Sequence, residues 1–67
     1  MDKKLVTVAE ASVLMGISRS LLYSLVMRGE VPSIKIGRAR RIPVSVIDEW
    51  IAKQLAEAAE EAQPDLS

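Results

Sequence analysis

Gly16 and Gly29 divide the first half of this chain into two helical segments of about two or three turns each. Ahead of the first glycine, Thr7-Val8-Ala9-Glu10 has the form of a capping box. In that arrangement a threonine hydroxyl and a glutamate side chain each satisfy a free amide at a helix start. Val8, Ala11, Leu14 and Met15 then recur at helical spacing and define a candidate core face. Gly16 ends the segment, because a residue without a Cβ readily takes the left-handed conformation that closes a helix. Ile17 is placed to pack back into a core, and Ser18 is a good N-cap for a second helix. That helix is expected to run to about Arg28, with Gly29 as its terminator. Two short helices joined by a few residues that include glycine have helix-turn-helix spacing. An ordinary helical hairpin has the same spacing, which by itself carries no chemistry.

Val31-Pro32 breaks the chain away from the second helix, and Ser33-Ile34-Lys35-Ile36 alternates polar and apolar as a half-buried strand does. Gly37-Arg38 is a hairpin turn, with Arg40-Arg41-Ile42 as the returning strand. Ile34, Ile36 and Ile42 are expected to point inward, which leaves Lys35, Arg38, Arg40 and Arg41 on the outer side and the tip. After Pro43 a third helix is expected, with Ile47, Trp50, Ile51 and Leu55 as an apolar stripe and Asp48, Glu49 and Lys53 opposite. Pro43 could occupy its first position. Ser45 to Asp48 offers a competing capping box, so the start is open by two residues. Trp50 sits in the middle of the stripe and reads as core filling. From Ala56 onward the sequence favours helix by propensity but has little to bury, and Gln63 to Ser67 should fray. The expected division is a flexible N-terminus over 1–5, one domain over 6–55, and an acidic extension over 56–67.

Charge is segregated along the chain. Between Ser18 and Arg41 there are six basic residues against one acid, Glu30, whereas from Val44 onward there are six acids against Lys53. The net charge of zero is a cancellation of opposed regions. A compact basic face on a small helical domain is the electrostatic footprint of a nucleic-acid binder. Sixty-seven residues suffice for one domain of modest stability. Cysteine and histidine are both absent. Without them a disulfide framework, a thiolate metal site and the usual general base near neutral pH have no players. Neither an enzyme nor a cofactor, metal or small-molecule ligand is expected. No apolar run approaches the roughly 18 residues that span a bilayer, and the N-terminus lacks the form of a signal peptide. No membrane partner and a cytoplasmic location are therefore expected.

The second helix has two sides. Leu22, Leu25 and Val26 share one face, with Leu21 at its margin, while Arg19, Ser20, Tyr23, Ser24 and Met27 share the other. Short polar side chains allow a helix to approach base edges closely, and arginine can donate two hydrogen bonds to guanine. A cation in the first turn opposes the helix dipole, so Arg19 hints at a role outside the fold. Four cations around one hairpin turn repel each other unless an anion lies nearby, which points to phosphate contact by the hairpin.

Thr7-Val8-Ala9-Glu10-Ala11, Leu14 to Ser20, Arg28-Gly29-Glu30-Val31-Pro32, Ile36-Gly37-Arg38 and Arg41-Ile42-Pro43 together resemble the excisionase-type helix-turn-helix family. This is a minimal winged-helix group related to the DNA-binding domains of mercury-resistance-type regulators, and the likeness covers roughly residues 5 to 55. The resemblance implies a mainly α, small winged helix-turn-helix: two N-terminal helices, a two-stranded β wing and a C-terminal helix. It also implies double-stranded DNA as partner, with the second helix in the major groove and the wing on the adjacent backbone or minor groove. The candidate residues are Ser18, Arg19, Ser20, Tyr23, Ser24 and Met27 on the recognition helix, and Lys35, Gly37, Arg38, Arg40 and Arg41 on the wing. Members of the family include phage and mobile-element excisionases, which bend attachment-site DNA and steer an integrase toward excision. Others are small transcriptional regulators. The short chain without an effector domain favours the first role. An integrase and further copies on adjacent sites are then the candidate protein partners. A phage or plasmid regulator, or an adaptor working through its acidic C-terminal helix, are the alternatives. Leu21, Ser24, Met27, Ala39 and Arg40 depart from the family pattern. They leave fewer cations on the second helix, and Leu21 and Met27 are free to touch thymine methyls or another protein.

Overall fold

The computed structural model describes residues 3–62. In chain order the elements are β1 (Leu5–Thr7), α1 (Val8–Met15), α2 (Arg19–Met27), β2 (Ile34–Ile36), β3 (Ala39–Pro43) and α3 (Val44–Ala62). Each helix boundary in the first half has a local cause. The Glu10 amide donates to Thr7 Oγ1 at 3.0 Å and the Thr7 amide donates to Glu10 Oε1 at 3.1 Å, which completes the capping box. Gly16 takes φ 71° and closes α1, with the Ile17 amide donating to the Ser12 carbonyl at 3.0 Å. The Ser18 hydroxyl accepts from the Leu21 amide at 3.1 Å and opens α2. Beyond Arg28, Gly29 at φ 79° turns the chain so that the Glu30 amide donates to the Leu25 carbonyl at 2.9 Å.

The two hairpin strands form as expected and a third joins them, giving an antiparallel sheet in the order β1-β3-β2. Val6 pairs with Ile42 and Leu5 with Pro43, which ties the N-terminal segment to the hairpin. The Val44 amide donates to the Lys4 carbonyl at 2.9 Å, so α3 starts one residue after Pro43, which remains in the strand. Neither Pro43 as first helical residue nor a box starting at Ser45 describes that start.

Register corrects the expected direction of the wing side chains. The two-residue turn pairs Ile36 with Ala39, Lys35 with Arg40 and Ile34 with Arg41. Paired residues share a face, and faces alternate along each strand. Lys35 and Arg40 therefore lie on the face of Val6 and Ile42, beyond the edge of the core. Ile34 and Ile36 lie on the opposite face with Leu5 and Pro43, and are 44% and 53% exposed.

The core consists of Val6, Val8, Ala11, Leu22, Leu25, Val26, Val31, Ile42 and Ile47, with Met15, Ile17, Val44, Val46, Trp50 and Ile51 packed against it. Ser12 is buried beside them and donates to the Ala9 carbonyl at 2.7 Å. Besides Ile34 and Ile36, two further expected core residues are outside it. Leu14 is 59% exposed, because it lies about 60° further round the helix than Ala11 and α1 meets the core on one narrow face. Leu55 is 66% exposed, because only the first half of the 19-residue α3 rests on the body. Trp50 is half-buried in the expected core stripe.

Candidate nucleic-acid interface

A cleft of about 460 Å³ opens between the first turn of α1, one side of α2 and the wing. Arg19 and Tyr23 line it from α2, and Lys35, Arg38, Arg40 and Arg41 line it from the wing. These six were candidates by sequence, and the fold brings them to one place. On α2 the reason is helical spacing, since residues four apart stack on one side. On the wing the pairing of Lys35 with Arg40 puts two cations next to each other on the side facing the helices.

The electrostatics follow from what is missing around these groups. Among the described residues the salt bridges are Lys3–Glu10 at 2.7 Å and Arg28–Glu30 at 3.1 Å. None of the five cations in the cleft has a carboxylate within that reach. Arg40 Nη1 instead donates to Ser33 Oγ at 2.7 Å, and Arg41 Nη1 donates to the Arg40 carbonyl at 3.1 Å. Those bonds hold the two guanidinium groups in place without neutralising them. A concave surface lined by one sign of charge focuses its field and attracts counter-ions of the opposite sign.

Thr7, Val8 and Ala9 also line the cleft, and sequence reading did not place them there. They form the positive end of α1, where amides point outward and the helix dipole adds a partial positive charge. The capping box was the available signal for that end, but its position beside the wing is a tertiary fact. Glu10 belongs to the same turn. The ammonium of Lys3 and the Thr7 amide hold its carboxyl at about 2, well below the usual 4.5. The carboxylate charge is taken up by Lys3 and the helix start, and Glu10 is not among the residues lining the cleft.

The other candidates lie outside the cleft. Ser20, Ser24 and Met27 are exposed on the outward side of α2, with Ser24 Oγ donating to the Ser20 carbonyl at 3.2 Å. Ser18 spends its acceptor on the α2 cap. Gly37, at φ 62°, forms the wing turn beside Arg38. The site is thus a charged cleft flanked by a polar and apolar helix face. It offers guanidinium, ammonium, phenol and backbone donors, a set suited to phosphate oxygens and the acceptor edges of bases.

Two short helices, a wing hairpin and a supporting third helix define a small winged helix-turn-helix protein. Residues 5–55 match the family described as a helix-turn-helix domain. The chain is also 43% identical over 56 residues to a protein of Saccharopolyspora erythraea named "Probable excisionase". That alignment covers 84% of this chain and 57% of the relative, so the chain spans under two-thirds of that relative's length. It is 38% identical over 55 residues to a protein of Streptomyces ambofaciens named "Excisionase", covering 82% of this chain and 89% of the relative. No solved structure matches the chain. The chain belongs to the excisionase family of helix-turn-helix DNA-binding proteins.

Proposed function

We propose that this protein is a recombination directionality factor: it binds specific sites in attachment DNA, bends the duplex and biases a site-specific integrase toward excision. The observation that carries the reading is the convergence of five cations, none paired with a carboxylate among the described residues, on a cleft bordered by the helix expected to read bases. In this reading α2 enters the major groove. Arg19 and Tyr23 reach base edges, while Ser20, Ser24 and Met27 present short polar and apolar contacts and Ser18 approaches the backbone. The wing, through Lys35, Arg38, Arg40, Arg41 and the Gly37 amide, tracks adjacent phosphates. A single module of this size has a small footprint, so neighbouring copies and an integrase are the protein partners the role requires. The names carried by the similar proteins of Saccharopolyspora erythraea and Streptomyces ambofaciens support the same role.

The test is footprinting on DNA flanking the attachment site, coupled to an excision assay with the cognate integrase. Protected repeats at the attachment site, with excision stimulated by the protein, support the proposal. Protection confined to a promoter, with no effect on excision, would instead make the protein a transcriptional regulator.

A further inference from the structure

Buried Leu22, Leu25 and Val26 fix the inward direction of α2. At about 100° per residue, Ser20, Ser24 and Met27 stand opposite them and form the outward ridge of the helix. Arg19 and Tyr23 lie on the flank that lines the cleft, and Leu21 lies on the other flank. A helix seated in the major groove turns its outward ridge to the base edges, so the residue types on that ridge limit what it can read.

Those types are lopsided. Guanine is read by arginine or lysine, adenine by asparagine or glutamine, and cytosine by aspartate or glutamate. Arg19 serves the first, and α2 contains no residue of the other two kinds. Arg28, just past its end, is paired with Glu30 at 3.1 Å. Serine contacts bases without strong preference, and the Ser24 hydroxyl already donates to the Ser20 carbonyl at 3.2 Å. The large side chain left on the ridge is apolar. Met27 is 74% exposed and belongs neither to the core nor to the residues packed against it. An unbranched thioether adapts its shape to a small apolar target, and in the major groove that target is the C5 methyl of thymine.

We propose that Met27 is a specificity-determining residue that packs on a thymine methyl, so that A·T pairs in the site are recognised from the thymine side. Arg19 and Met27 are about 12 Å apart along the helix axis, so they address different base pairs. Arg19 reads guanine near the start of α2, and Met27 reads thymine near its end. This contact rests on the reading that places α2 in the major groove, but it needs neither bending nor excision.

The test takes a duplex that the full-length protein selects from a randomised pool and replaces thymidine with deoxyuridine, one position at a time. Uracil keeps every hydrogen-bonding group of thymine and lacks only the methyl. At one or two positions the replacement should weaken binding about fourfold, the worth of one buried methyl-sized group. Met27→Ala, checked as folded by thermal unfolding, should bind the thymine and uracil duplexes equally, and Met27→Leu should keep most of the difference. A selected duplex indifferent to uracil at every position would overturn the proposal, leave major-groove reading standing and free Met27 for a protein contact. A uracil penalty undiminished in Met27→Ala would give the methyl to another side chain and overturn the role of Met27. Selection that yields no preferred sequence would overturn the major-groove reading and the Met27 contact together.

Discussion

Arg40 and Ser33 are joined across the base of the wing by a 2.7 Å hydrogen bond from the guanidinium to the hydroxyl. The bond fixes one of the cleft's five cations at its edge, and Arg38, at the turn, has no such bond among the described residues. The two arginines should therefore behave differently. Arg38→Ala should weaken binding to all DNA sequences alike and lower the salt dependence by about one unit of slope, as loss of one phosphate contact does. An unchanged slope would place the wing tip off the backbone. Ser33→Ala should leave the slope intact and weaken binding only modestly, because it frees Arg40 without removing its charge.

The capping box predicts an acid-dependent weakness at the start of α1. The Glu10 carboxyl is held at about 2 in the fold against its usual 4.5. A lowered folded value means that this contribution is fully present above about pH 4.5 and is lost as pH falls toward 2. Between those limits the native protein should lose stability more steeply than Glu10→Gln, as measured by thermal unfolding at successive pH values. Parallel curves would show that the interaction adds nothing. Thr7→Ala, which removes the cap acceptor, should cost about 1 kcal/mol at neutral pH.

Gly29 turns the chain at φ 79°, with nothing within 4 Å of the place where a Cβ would stand. The cost of a side chain there is therefore conformational and not steric crowding. Gly29→Ala should destabilise by about 1–2 kcal/mol. Gly29→Asn should cost less, since asparagine tolerates left-handed backbone better. Equal losses in denaturant unfolding would mean that the turn itself rearranges.

These local features were the legible part of the sequence. Thr7 with Glu10, Gly16, Ser18 and Gly29 each act within a few residues of their own position, and each marks a boundary the fold confirms. β1 was not legible: its three residues lack a period of their own, and its partner β3 lies far along the chain. Ile34 and Ile36 were misdirected because alternation gives a strand two faces without saying which is inner. Counting outward from the Gly37-Arg38 turn pairs Ile34 with Arg41 and would have settled it. Arg19, Tyr23 and the wing cations were nameable as residue types. Their meeting with Thr7–Ala9 depends on packing that no local pattern encodes.

The exposed end of α3 predicts a separation of functions. Ala56 to Glu61 are all exposed, so a chain ending at Leu55 should fold and bind a single DNA site as well as the full chain. Removing that end should still reduce the filling of adjacent sites. Loss of single-site affinity would show that the helix end faces DNA.

The most direct test of the cleft as the DNA-reading surface is to measure Arg19→Ala and Tyr23→Ala against the specific site and a random duplex at one salt concentration. Both side chains line the cleft from α2, and neither is part of the buried core. Each substitution should weaken specific binding by about 1–3 kcal/mol and leave random-sequence binding nearly unchanged, as loss of a base contact does. Equal losses on both duplexes by a folded variant, or no loss on either, would contradict that account.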